Sequence, residues 1–400
     1  MAVSKWENVN SMKPIDDYKE DVFLCCSSCL NCMLSYPMYL PVCPALEKYG
    51  FVTYASKGRS GLIESYLSGQ IKMSEEFANI MYSCALCGAC RVSCQQDWSY
   101  YNLEVFEAIR EEIIDKGFAP PEVRDFLQSV YKYGNPFSEP REKRADWAKD
   151  TDVKKYKGQE YLLFVGSVGS YDPRAQKISK ALSSILIKAG ISFGILGIEE
   201  TDDGNEVNKV GERGLFEYLA DENIEKFKNL GVKKIITLSP HSFNAIKNNY
   251  PAFGGDFEVM HYTQFLKQLI ETGQLQIKGR LDADVTFHDP CFLGRYNKEY
   301  EAPRFLLGSI PGLRLIEMER NKEDSFCCGG GGGNFFTDFL GSGEKGAGRI
   351  RIREAFDTKA KILAVACPMC AGMFEDALKM EWLEDEFTVK DIAEIINELI

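Results

Sequence analysis

Cys84, Cys87, Cys90 and Cys94 form a C-x2-C-x2-C-x3-C run, and a chain that carries such a run has to fold around what it binds. Three thiols at three-residue spacing wrap one corner of a 4Fe-4S cube, while the fourth ligates a second cluster. A companion run, Cys26, Cys29 and Cys32, is followed by Cys43-Pro44 after ten residues rather than three. The crossover rule of two-cluster ferredoxins then gives Cys26, Cys29, Cys32 and Cys94 to one cubane 4Fe-4S cluster, and Cys84, Cys87, Cys90 and Cys43 to the other. The long spacer before Cys43, the absence of Pro after Cys94 and the surplus Cys25 beside Cys26 depart from that pattern, and the spacing leaves the role of Cys25 open. Zinc also uses CxxC pairs, but its sites want four ligands in two pairs, which a triple at three-residue spacing does not offer. Two cubes held this way pass electrons between them and do no bond chemistry.

The chain has 400 residues, 14 of them Cys, and a formal net charge of -12. That balance argues against a nucleic-acid partner, which needs a basic face. The first twenty residues mix both signs of charge and contain no apolar h-region, so no secretory signal is expected. The longest apolar stretch, 362–374, is too short to span a bilayer, which takes about 20 residues, so no transmembrane segment is expected either. The expectation is a cytoplasmic protein, where a Cys-rich pattern points to metal or redox chemistry rather than disulfides.

Nine cysteines fall between Cys25 and Cys94 and five between Cys291 and Cys370, with none between the two groups. Residues 1–135 read as a helical domain, with helices predicted at 60–67, 74–82, 103–115 and 121–131. A polar, Pro-containing stretch, 136–160, reads as a linker. From Tyr161 short apolar runs alternate with amphipathic helices, the pattern of α/β units around a mostly parallel sheet. Strands are predicted at 161–166, 191–196, 233–238, 284–288, 313–318 and 362–366.

This region repeats itself. Cys291, the pair Cys327-Cys328 before Gly329, and Cys367-Pro368-Met369-Cys370 have counterparts in Ser167, the pair Asp202-Asp203 before Gly204, and Ser239-Pro240-His241-Ser242. The first copy, 161–280, has lost every thiol; the second, 281–400, is intact. Loops at the carboxyl ends of neighbouring strands converge, so three loops of the second copy can build one site from five thiols. Cys367 and Cys370 lie at a helix start, where free N–H groups stabilise anionic sulfur. The glycines from Gly329 to Gly333 would let backbone approach a bulky cluster closely. They follow a cysteine pair and lack the strand-turn-helix context of a dinucleotide fingerprint.

The stretch His288-Asp289-Pro290-Cys291-Phe292-Leu293-Gly294-Arg295-Tyr296-Asn297, the Cys327-Cys328-Gly329 pair and the Cys367-Pro368-Met369-Cys370 tetrad resemble the cysteine-rich "CCG" domain family of heterodisulfide reductase catalytic subunits and related iron–sulfur oxidoreductase subunits. The N-terminal part is similar to that family's fused ferredoxin-like module. The resemblance implies an α+β chain with an α/β body: a helical ferredoxin-like domain, then two tandem α/β (Rossmann-like) CCG-type repeats, the first degenerate. It also implies that Cys291, Cys327, Cys328, Cys367 and Cys370 hold one noncubane-type 4Fe-4S cluster. In the family two such clusters together split a disulfide between thiol coenzymes, and here only one can form. Hydroxyls and carboxylates are poor ligands for such iron, so the Ser167, Asp202, Asp203, Ser239 and Ser242 site is read as a structural relic, with a harder metal or substrate cation as the alternative. His288 and His241 lie at the two sites and are expected to be hydrogen-bonded structural imidazoles, with proton donation as the alternative.

The function expected is an electron-transfer subunit of a heterodisulfide-reductase-like redox complex from anaerobic metabolism, with a flavoprotein of the heterodisulfide-reductase FAD type as its partner. Two alternatives remain open at this point: a disulfide or thiol reductase acting through the single C-terminal cluster, and a redox sensor or scaffold.

Overall fold

A computed structural model describes residues 13–35 and 38–400. Residues 1–12 lie outside the described residues, and with them most of the segment on which the expectation of no secretory signal rests.

The helical part builds its core on helices Ser56–Leu67, Glu75–Tyr82, Asn102–Asp115 and Pro121–Tyr133, which bury Ile63, Phe77, Met81, Phe106, Ile109 and Val123. Ser74 caps the second of these by accepting a hydrogen bond from Phe77 N at 3.2 Å. The predicted helices are therefore present, the first of them starting four residues earlier than its apolar spacing indicates. Residues 136–160, expected to link, carry a 3-10 helix, Arg141–Ala148, with Arg144 and Trp147 buried against the following repeat.

The α/β body contains two four-stranded parallel sheets. The strands are β1 (Tyr161–Phe164), β2 (Phe193–Gly194), β3 (Lys234–Thr237), β4 (Glu258–His261), β5 (Asp284–Phe287), β6 (Arg314–Leu315), β7 (Ile362–Val365) and β8 (Thr388–Asp391). Their orders are β2-β1-β3-β4 and β6-β5-β7-β8, so the same topology occurs twice, as the internal repeat requires. The inner strands are nearly continuous apolar runs such as Leu162-Leu163-Phe164, because both faces of a parallel sheet are covered. β4 and β8 are edge strands reading Glu-Val-Met-His and Thr-Val-Lys-Asp, and without an apolar run they leave no signal in the sequence. β2 and β6, the other edges, keep only two paired residues each of the six expected.

Every position of the repeated motif follows a strand at its carboxyl end, where a parallel sheet gathers its loops. Arg110 ties the parts together: its guanidinium donates to Met81 O at 2.8 Å, Cys84 O at 2.5 Å, Lys209 O at 2.8 Å and Gly332 O at 3.1 Å. One buried cation thus joins the helical domain, the first repeat and the glycine run of the second. Among the described residues no helix is long and apolar enough to cross a membrane.

Candidate metal centres

In the helical domain Cys43, Cys84, Cys87 and Cys90 line one small cavity together with Arg59, Leu103 and Phe106. Leu86 adopts a positive φ of 47° and Gly88 one of 77°, so the backbone winds tightly enough to turn successive thiols inward. Burial pushes the Cys43 thiol up to about 11, against the pull of Arg59. The second group is partly assembled: burial pushes Cys32 up to about 12, and Cys94, Cys43 and Cys26 are near enough to add to the shift. Cys29 is exposed. Cys25 is half-buried, its thiol raised by burial and then by Asp21 and Asp97, an acidic setting that disfavours a thiolate. Cys90 belongs to the cavity yet also senses Cys32, so the two groups adjoin.

In the second repeat all five cysteines are buried and unpaired. Cys370 Sγ lies 3.4 Å from Cys328 Sγ, and Cys291 and Cys328 are near enough to Cys327 to raise its thiol. The amides of Gly329 and Gly330 point at the sulfurs of Cys327 and Cys328 at 3.3 and 3.5 Å. Cys367 is the N-cap of helix Pro368–Met380, and Cys370 sits in its first turn. Burial raises the Cys367 thiol, but hydrogen bonds from Cys370 and His241 outweigh it and bring the group down to about 6. His288 is driven down by burial, and its ring lies within 4.8 Å of the Cys328 and Cys370 sulfurs. Arg351 Nε donates to His288 Nδ1 at 3.3 Å, which leaves the ring proton on Nε2, facing sulfur.

The two thiol groups meet. Cys87, from the N-terminal cavity, lies close enough to Cys327 of the second repeat for the two thiols to perturb each other. Arg295 Nε donates to Cys87 O at 2.6 Å and Tyr296 Oη to Leu86 O at 2.6 Å, fastening the N-terminal loop over the C-terminal site. The glycine run serves the same seam. A Cβ at Gly331 would lie 2.8 Å from Ala85 O, and one at Gly332 2.8 Å from Cys84 O, so the glycines admit the backbone of the neighbouring cysteine loop as well as sulfur.

These donors fit iron–sulfur clusters. Arg295 Nη2 is buried without a hydrogen-bond partner among the described residues, while its charge faces Cys87, Cys291 and Cys327. A buried cation aimed at converging thiols suits an anionic sulfide cluster. His288, Cys328 and Cys370 by themselves could hold a single ion, but Arg351 already occupies Nδ1 and three thiols would be left over.

The first repeat is closed by its own hydrogen bonds. Ser167 Oγ donates to Asp202 Oδ2 at 2.6 Å and Ser242 Oγ to Asp203 Oδ2 at 2.6 Å. The remaining carboxylate oxygens accept from Gly204 N at 2.9 Å and Asn205 N at 2.8 Å, and Ser239 Oγ caps its helix by accepting from His241 N at 3.2 Å. Each substituted position is thus satisfied by a neighbour. Burial, and then Asp202, lift the Asp203 carboxyl to about 7. Arg144, Arg295 and Glu206 were not legible as site residues. Only Arg295 carried a signal, its place four residues after Cys291 within the motif.

The cysteine-rich domain family CCG matches residues 285–375. The chain is 35% identical over 347 residues to the "Probable iron-sulfur-binding oxidoreductase FadF" of Bacillus subtilis, covering 84% of this chain and 48% of that protein. It is 34% identical to the "EtfAB:quinone oxidoreductase" of Syntrophomonas wolfei, covering 79% and 46%. It is 33% identical to a dihydromethanophenazine:CoB–CoM heterodisulfide reductase subunit of Methanosarcina barkeri, covering 82% of this chain and 79% of that protein. The chain spans about half the length of the first two of these relatives.

Proposed function

Because the chain belongs to the family of CCG-domain iron–sulfur proteins that includes the Methanosarcina heterodisulfide reductase subunit, we propose that it is an electron-transfer subunit of a heterodisulfide-reductase-like redox complex. The relatives support an iron–sulfur redox subunit. In the finer reading Cys26, Cys29, Cys32 and Cys94 hold one cube, Cys43, Cys84, Cys87 and Cys90 a second, and Cys291, Cys327, Cys328, Cys367 and Cys370 one noncubane-type cluster. Clusters bound there supply one-electron transfer.

The observation that carries this reading is the file of sulfur atoms running from Cys32 past Cys90 and Cys87 to Cys327 and Cys328. Arg295 and Tyr296 hold that file rigid at its domain crossing by clamping the Cys87 loop. Arg91, paired with Glu104 in the core, and Asn102, whose amide reaches Cys90 Sγ at 3.8 Å, hold its middle. At its N-terminal end Cys29 is exposed, and Leu24 and Leu30, close to it in the chain, are 80% and 40% exposed, an apolar setting that suits a protein electron partner. A flavoprotein is the partner the family resemblance implies. The emptied first repeat supports electron transfer over unaided disulfide cleavage, since it offers no thiol for a second noncubane cluster.

The test is an anaerobic assay of the purified chain with reduced viologen and the CoB–CoM heterodisulfide. The reading predicts rapid reduction of the chain without sustained turnover. Sustained turnover with no partner present refutes it in favour of a reductase.

A further inference from the structure

His241 belongs to the emptied repeat, yet its ring lies close enough to Cys367 of the intact one to pull that thiol down. In the tetrads Ser239-Pro240-His241-Ser242 and Cys367-Pro368-Met369-Cys370, His241 and Met369 hold equivalent positions. Both side chains face the seam between the repeats: Met369 and His241 line the emptied cavity of the first repeat together, and the His241 ring also interacts with Cys367 of the second. The ring is 5% exposed and packs against Phe292, beside Cys291, with ring centres 4.4 Å apart.

Glu206 braces it. One Glu206 oxygen takes His241 Nδ1 at 2.6 Å and Asn205 Nδ2 at 2.8 Å, and the other accepts from Gly333 N at 2.6 Å. With Nδ1 committed to a carboxylate, Nε2 is the nitrogen left for Cys367. A thiolate bound to iron has no proton to give, so Nε2–H is the donor in that bond.

We propose that His241, braced by Glu206, is a positioning residue whose Nε2–H donates to Cys367 Sγ and raises the reduction potential of the C-terminal cluster. A donor aimed at a ligand sulfur stabilises the added negative charge of the reduced state, and such hydrogen bonds are among the protein's main controls on cluster potential. The first repeat, having lost its own thiols, then serves the second one's metal centre. The inference rests on the assignment of an iron–sulfur cluster to Cys291, Cys327, Cys328, Cys367 and Cys370.

The test is an EPR-monitored redox titration of the anaerobically purified full chain, with iron analysis of every sample. His241→Phe keeps the ring volume and removes the donor; His241→Gln keeps a donor; Glu206→Gln weakens the brace. His241→Phe is expected to retain its iron, leave the N-terminal clusters at their wild-type potentials, and disfavour reduction of the C-terminal cluster roughly tenfold, about 59 mV for a one-electron couple. Glu206→Gln shifts the same signal in the same direction by less, and His241→Gln recovers part of the loss. An unshifted C-terminal potential in iron-replete His241→Phe overturns the inference. If His241→Phe loses iron, Glu206→Gln decides, and no shift there overturns it. Absence of the C-terminal signal from the wild type instead refutes the cluster assignment beneath it.

Discussion

Replacing Asp203 by Asn separates a metal-free relic from a cation site in the first repeat. The carboxyl is buried, and burial together with Asp202 raises it from 3.8 to about 7. Between those values the folded chain keeps a proton that the unfolded chain has released, so stability falls as pH rises from about 4 to about 7. A shift of that size corresponds to about 4 kcal/mol as an upper bound, since the penalty is shared with Asp202. Asn keeps the geometry: its carbonyl oxygen accepts from Asn205 N, and its amide donates to the Ser242 hydroxyl, which Asp203 accepts from in the wild type. Asp203→Asn is therefore expected to match the wild type near pH 4.5 and to exceed it near pH 8, with a rise of several degrees in the apparent melting temperature. The assay is anaerobic scanning calorimetry between pH 4.5 and 8.5, with metal analysis at each step. A variant less stable than the wild type at pH 8, especially one that has lost a divalent ion, would refute the reasoning and assign the Asp pair to a bound cation.

Two further substitutions probe buried contacts around the thiol sites. Arg91→Ala leaves Glu104 buried without its ion pair and frees Asn102, whose Oδ1 accepts from Arg91 Nε at 3.1 Å; the expected loss is about 3–5 kcal/mol in anaerobic urea unfolding, and a loss under about 1 kcal/mol contradicts it. Gly333→Ala drives a Cβ into Val210 Cγ1 on a backbone with φ of +84°, so overpacking and left-handed strain together are expected to cost about 2–4 kcal/mol by the same measurement. Adding Val210→Ala relieves the overpacking and should return part of that loss; if it returns none, the clash is not the cause.

What the sequence revealed and what it hid follow from the physics of each element. Thiol spacing is a local property, so Cys84, Cys87 and Cys90 with the distant Cys43 could be named as one set, and the four line a single cavity. The repeat was legible because Ser, Asp and Pro stand at the positions of Cys, Cys and Pro, and the twin strand orders match it. Edge strands β4 and β8 were invisible because one-sided burial leaves no apolar run. The seam between Cys87 and Cys327 was hidden as well, since no periodicity records which loop of one domain faces which loop of another. The stretch 136–160 looked polar and loose, yet Arg144 is buried because Glu200, at 3.0 Å, and Thr201 O, at 3.1 Å, receive its charge. The glycine run was expected to make room for a cluster; in the fold it also admits the carbonyls of Cys84 and Ala85.

Anaerobic purification followed by iron and sulfide analysis with EPR bears on all three thiol sites at once. Three four-iron clusters predict about 12 Fe per chain, with a C-terminal signal distinct from the two cubes. About 16 Fe would mean that the Ser and Asp site is filled after all, and a colourless, iron-free or zinc-only protein would remove the electron path altogether.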